Sequence, residues 1–207
     1  MLIQGQVGPI ASSTSLSAGV QATARLDNLG GLVATQLLPR YYETTYRRNM
    51  YTGANQAGVT TSAALSTSYT GLVLQNPVGN LFNLVVTKVG YSFTVAPAAA
   101  VAVGLMTGVS ATSFTTNLIT ARNRFVGGVL STGIVSSGTT IATPVVETIL
   151  DTVTTAAITT SPKGVGGIVD LEGSLILSPG AFVAFYTSTA SGASGFFGSF
   201  QWVEVPL

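Results

Sequence analysis

The residues able to do chemistry are few, and their types already narrow what they can do. The chain of 207 residues contains no His and no Cys. A His-dependent triad, a thiol nucleophile, a disulfide framework and a zinc site of Cys or His ligands are therefore excluded. Seven carboxylates remain. Asp170 and Glu172 stand two apart in a segment of strand character, which places both on one face. Paired carboxylates serve glycosidases, but such pairs usually come from separate elements flanking a cleft. Three readings of the pair stay open: a solvated strand face, a calcium site and an acid–base pair. The solvated face is the simplest. Glu147 and Asp151 have the four-residue spacing of one helix face, yet Thr and Val around them favour a strand. The glycine-rich loops contain no Walker sequence and no Gly-x-Gly-x-x-Gly between a strand and a helix. No cofactor and no enzymatic activity are expected.

Basic residues offer a second possibility. Arg40, Arg47 and Arg48 are three of the eight basic residues, packed within nine positions and interleaved with Tyr41, Tyr42 and Tyr46. Aromatic–basic mixtures hold single-stranded nucleic acid. Tyr and Arg also anchor protein interfaces. Glu43 partly neutralises the cluster, and a net charge of +1 leaves no general basic face, so nucleic acid is not an expected partner. A contact with other subunits is the expectation, with a plain exposed strand as the alternative. As a strand, the segment puts Tyr42, Thr44, Tyr46 and Arg48 on one face and Tyr41, Glu43, Thr45 and Arg47 on the other. Arg122 and Arg124 form a smaller pair, read as a solvated loop or as partners for one of the few acids.

The elements that must position these side chains follow from composition and punctuation. Charged residues are 7% of the chain, against about 25% in an average soluble domain. Apolar residues are 46% and mean hydropathy is +0.53, so the chain should fold and bury a core. The longest apolar run, residues 95–106, is broken by Pro97 and falls short of the roughly 20 residues of a membrane helix. The aromatic girdles of a membrane β-barrel are not evident, so no membrane partner is expected. The opening Met-Leu-Ile-Gln-Gly-Gln has neither a basic nor an apolar region of a signal peptide, and none is expected. With so few charges, the exposed faces must be Thr, Ser, Asn, Gln, Gly and Ala. A free monomer normally carries more charge than this. Copies of the chain, or a larger assembly, are expected to cover much of the surface.

Residues 1–38 read as an extended arm, small and polar but studded with Leu2, Ile3, Val7, Ile10 and Leu16. Residues 39–207 read as an all-β domain: eight to ten short strands with turns every 8 to 15 residues and little helix. Residues 81–96 are a strand pair or one long strand. Residues 99–106, rich in Ala and Val, suit a strand buried on both faces, and 117–124 suit a short helical turn. Ser178-Pro-Gly180 has the Pro and Gly placement of a type II turn. Phe200 and Trp202 share the core face of the last strand, with Phe197 on the other. The expected architecture is an antiparallel β-sandwich or jelly roll preceded by an arm.

Four stretches carry a resemblance to a known kind of protein. They are Gly53-Ala-Asn-Gln-Ala-Gly-Val-Thr-Thr61, the segment from Val86 to Pro97, the segment from Leu177 to Thr189, and Gly198-Ser-Phe-Gln-Trp-Val-Glu-Val-Pro206. In composition and strand–turn style, residues 40–207 resemble virion proteins of tailed bacteriophages, above all the small jelly-roll decoration, or cement, proteins of the head. The resemblance implies a homotrimer on the capsid surface that bridges major capsid protein subunits, and no catalysis. It carries no diagnostic motif and fixes no site. Expected contact residues are the arm anchors Leu2, Ile3 and Ile10 together with Arg40, Tyr41, Tyr42, Tyr46, Arg47 and Arg48. A receptor-binding head fibre or tail spike module is the rival expectation.

Overall fold

Two kinds of strand pattern build two kinds of sheet. The structure, a computed structural model, describes residues 39–95, 97, 99–153, 165–192 and 194–207. The chain divides into two units, Met1–Tyr42 and Glu43–Leu207. Of the first unit, only residues 39–42 are described, so the expected arm with Leu2, Ile3 and Ile10 lies outside the described residues.

The second unit contains eleven strands among its described residues: β1 Met50–Ala54, β2 Ser68–Gln75, β3 Phe82–Phe93, β4 Val101–Val109, β5 Leu118–Ile119, β6 Arg122–Asn123, β7 Ile134–Thr140, β8 Val145–Val153, β9 Val165–Leu177, β10 Ala181–Thr187 and β11 Phe196–Pro206. They form an antiparallel five-stranded sheet, β6-β1-β11-β3-β9, and an antiparallel six-stranded sheet, β5-β7-β2-β10-β4-β8. The pairings nest: β1 with β11, β2 with β10, β3 with β9 and β4 with β8. That nesting is the winding of a jelly roll. The segment from β5 to β7 is an excursion between β4 and β8. It adds β7 to β2 and β5 to β7, then carries β6 across to β1 in the other sheet.

Burial follows the patterning. In β11, Phe196, Phe200, Trp202 and Glu204 point inward while Phe197, Gln201 and Val203 are half-exposed, so the five-stranded sheet is covered on one face. The centre of the six-stranded sheet is covered on both. Its inner face gives Leu72, Leu74, Val103, Leu105, Val183 and Phe185 to the main core. Its outer face gives Val73, Met106, Phe182 and Ala184 to a second cluster, roofed by Phe114 and Ile141, which flank the excursion. Continuous apolar runs are what a doubly covered strand requires. The Ser178–Gly180 turn forms as expected: the Ala181 amide donates to Ser178 O at 2.9 Å, and Gly180 sits at φ +88°, where a side chain would strain.

Two local expectations are corrected. The segment expected as a strand over residues 41–50 is instead a helical turn, α1 Tyr42–Tyr46, and β1 begins only at Met50. Local hydrogen bonding outweighs the strand propensity of Tyr and Thr here. The Tyr42 amide donates to Pro39 O, and the Arg47 amide to Glu43 O. Arg48 then takes a left-handed conformation at φ 63°, and the amides of Arg48 and Asn49 return to Thr45 O and Thr44 O. This is a Schellman cap with Arg48 in the place glycine usually holds. Residues 117–124 form β5 and β6 rather than a helical turn, because Asn117 at φ 45° and the pairing of each short strand break any helical run.

Candidate assembly surface

The sandwich has two lateral sides of opposite character. The excursion closes one side, where β5 and β6 are the outermost strands. There Arg122 pairs across from Thr52 of β1, and the Arg124 amide donates to Met50 O at 2.8 Å. The Arg48 guanidinium lies 4.9 Å from the centre of the Phe125 ring, a cation–π contact that also steadies the strained cap. Arg47 holds Glu43 at 2.6 Å in an exposed pair. Four arginines that are up to 77 positions apart in the chain therefore share one side, against Glu43 and the buried Glu204. Among the described residues, neither Arg122 nor Arg124 has a carboxylate within salt-bridge range.

The excursion also leaves apolar side chains open. Val126 is 94% exposed, and Leu118, Val129 and Leu130 are also largely open. Leu118, Ile119, Leu130 and Ile134 line a cleft of about 270 Å³. The floor of this cleft is organised by Glu204, whose Oε1 accepts from the Ser131 hydroxyl and from the amides of Thr132 and Gly133. The same carboxylate, after burial, raises the pKa of Tyr51, and a bond with Asn123 opposes the shift. Behind the cleft, Trp202 is fully buried and its Nε1 has no hydrogen-bond partner among the described residues.

On the other side β8 and β9 are the outermost strands. Four carboxylates stand there: Glu147, Asp151, Asp170 and Glu172. Lys88 of β3 offsets one of them, 3.5 Å from Asp170 Oδ2. Asp151 Oδ2 accepts from the Tyr91 hydroxyl at 2.6 Å, a bond that joins β8 of one sheet to β3 of the other. Burial, then the bond and charge of Asp151, push the Tyr91 hydroxyl up to about 12. Glu147 Oε2 accepts from Thr107 at 3.0 Å. Exposed aliphatics accompany these acids: Ile168, 80% open, with Val145, Ile149 and Ile176.

The shared strand face expected for Asp170 and Glu172 is interrupted. Lys88 opposes Asp170 and Val86 opposes Leu175, so residues 171–174 bulge opposite Thr87. Glu172 and Gly173 have φ of 53° and 80° there, and the Glu172 amide donates to Asp170 Oδ1 at 3.0 Å. Asp170 is thus engaged by the bulge and by Lys88. No cluster of three or more Asp and Glu that could hold a metal ion occurs among the described residues.

Of the expected contact residues, Leu2, Ile3 and Ile10 lie outside the described residues. Arg40 and Tyr41 stack on each other at 5.2 Å, and Tyr42 and Tyr46 are exposed on α1. Sequence reasoning treated Arg122 and Arg124 as a separate minor pair. Nothing local signals that β6 will lie against β1, close to where Arg48 precedes it. The lateral grouping of the acids was equally invisible, since it needs β8 and β9 on the rims of different sheets. Comparison with protein-family models, with curated proteins and with solved structures found no match to this chain.

Proposed function

We propose that this chain is a structural virion protein, a decoration or cement subunit that sits on the head of a tailed bacteriophage as a homo-oligomer, three copies by the resemblance. The observation that carries this reading is the exposed surface. A domain with 7% charged residues leaves Ile168, Val126, Val129 and Leu130 in the open on its surface, a composition suited to being covered. The jelly-roll winding is compatible with it, since capsid proteins use that fold, although the fold also hosts lectins and cupins. The work is mechanical: each copy adds buried area between neighbouring major capsid protein subunits and so resists internal pressure. The arm, residues 1–38, lies across the shell and raises the local concentration of the domain there.

The test uses heads assembled without this protein. Full-length chain added back should bind at saturating occupancy. Chain lacking residues 1–38 should remain folded by circular dichroism and lose binding by at least tenfold, the order of gain a tethered second contact supplies. Equal occupancy by both forms would overturn the role of the arm, and failure of the full chain to bind heads would overturn the reading.

A further inference from the structure

The first half of β9 is a free strand edge, and the hydrogen bonds of its neighbours fix which of its backbone groups face outward. Phe196 of β11 exchanges both backbone bonds with Val59, each at 3.0 Å, and Gly198 O accepts from the Asn55 amide. The backbone groups of Phe196 and Gly198 therefore face away from β3. Opposite them on β3 stand Phe93 and Tyr91, whose own groups must then face β9, where they meet Val165 and Gly167. Alternation leaves the N–H and C=O of Gly166 and Ile168 pointing out of the sheet. No described residue bonds to them there. We infer that this edge pairs with the same edge of a second copy, antiparallel about a two-fold axis through Gly167, so that two five-stranded sheets become one continuous sheet.

Natural sheets blunt their edges with charge, proline, bulges or short strands. Three of the four described edges do so. β5 and β6 are two residues long, and β8 slips register against β4 between Val103 and Gly104 and between Leu105 and Met106. β9 bulges only at residues 171–174. Ahead of the bulge, Val165-Gly-Gly-Ile-Val169 has no charge and no proline, and its pairing with β3 is unbroken. An edge of this kind is a template for another strand.

The same five residues are complementary to themselves, which selects a second copy as the occupant. With Gly167 opposite the partner's Gly167, each Ile168 lies opposite the partner's Gly166, and the two residues exchange both of their outward backbone bonds. On the outer face the large Ile168, 80% exposed, covers a position without a side chain. On the inner face Val169 meets the partner's Val165. Val169 packs on the main core but is only half covered, and Val165 is 39% exposed, so this pair extends the core across the contact. Like charges stay apart. Asp170 of one copy and Asp170 of the other stand six positions out of register, about 20 Å at strand spacing, beyond the ~10 Å screening length of 0.1 M salt. The contact is isologous, so it joins chains in pairs, or trimers in pairs where a three-fold contact also forms. It does not depend on the head-decoration reading.

Native mass by light scattering and amide hydrogen exchange test the pairing on the full chain. The mass should be an even multiple of 21.0 kDa and should halve on dilution. The Gly166 and Ile168 amides should exchange at least tenfold more slowly in the paired state than after dilution. Ile168→Pro removes an N–H that has no partner within the described chain, and proline is tolerated where an edge N–H faces solvent. It should halve the mass while thermal unfolding stays cooperative. Ile168→Lys, which adds a charge without touching the backbone, should do the same. Val169→Pro removes an N–H that faces β3 and should instead lower Tm. A single chain or an odd multiple at every concentration overturns the inference. So does a mass that both Ile168 variants leave unchanged. Slow exchange of the Ile168 amide in single chains, independent of concentration, would also overturn it, because the chain would then be covering its own edge. Binding to heads lacking this protein is read separately: heads that refuse a paired wild type refute the decoration reading and leave the contact standing, and heads that bind an unpaired wild type do the reverse.

Discussion

Removing one hydroxyl at Tyr91 tests how the acidic side is built. The Tyr91 hydroxyl donates to Asp151 Oδ2 at 2.6 Å, while Asp151 Oδ1 accepts from the Thr152 amide at 2.7 Å. The bond closes the seam between β3 and β8 next to the free edges. Tyr91→Phe keeps the ring, which is only 7% exposed, and so opens no cavity. The loss is one hydrogen bond to a charged acceptor. Such bonds contribute about 1.5–3 kcal/mol, and the exposure of Asp151 puts this one near the lower end, about 1.5 kcal/mol. For a domain of this size that lowers Tm by about 3–6 °C. The pH dependence has a definite sign. The folded state favours the protonated phenol, raised to about 12, whereas the unfolded chain titrates near 10. The contribution of Tyr91 is therefore fully present below pH 10 and fades as pH rises from about 10 to about 12. Tyr51 and Tyr69 are raised as well, but both remain in the variant, so they cancel in the difference. The assay is thermal unfolding of wild type and Tyr91→Phe from neutral pH upward, with the phenolate absorbance of Tyr91 followed in parallel. The gap in Tm should be constant up to pH 10 and shrink above it. Asp151→Asn should bring the Tyr91 titration down, because the bond and charge of Asp151 are the second and third causes of its shift. No gap at neutral pH, or a gap that is flat through the alkaline range, would refute the seam.

Two further perturbations probe the scaffold. Tyr69 lies fully buried in the second cluster, and its hydroxyl is shared between Leu72 O and Phe185 O, both at 3.0 Å, where a bulge in β2 interrupts the ladder. Tyr69→Phe should cost about 1–3 kcal/mol in denaturant unfolding. Gly71→Ala, with φ +137° and a Cβ that would clash with the Tyr69 hydroxyl oxygen, should cost more, and less of it in the Tyr69→Phe background. Additive costs would contradict the crowding. Glu204→Ala removes the acceptor shared by the Ser131 hydroxyl and the amides of Thr132 and Gly133. It should destabilise by about 1–3 kcal/mol, the cost of leaving buried donors without an acceptor, read as a fall in Tm. An unchanged Tm would show that the carboxylate does not organise that loop.

The sequence by itself determined the fold class through features that act over a few residues. The Ala- and Val-rich run of residues 99–106 read as a strand buried on both faces, and in β4 Val103 and Leu105 join the main core while Met106 joins the second cluster. Alternation along β11 placed Phe200 and Trp202 inside, and the Ser178–Gly180 turn formed where Pro and Gly allow it. The absence of His and Cys excluded whole classes of chemistry before any coordinate was known. Even locally the reading failed twice: residues 42–46 are rich in Tyr and Thr, but capping bonds around Arg48 made them helical, and residues 117–124 formed β5 and β6 rather than a helical turn. What only the tertiary structure decided is the pairing of elements far apart in the chain. The nesting of β1 with β11, the crossing of β6 to β1, and the bulges in β8 and β9 depend on partners dozens to well over a hundred residues away. The side-chain contacts between distant elements follow from that same long-range pairing. Arg48 and Phe125, or Tyr91 and Asp151, become neighbours only once the sheets have paired, and a pattern of near neighbours in sequence holds no record of that choice.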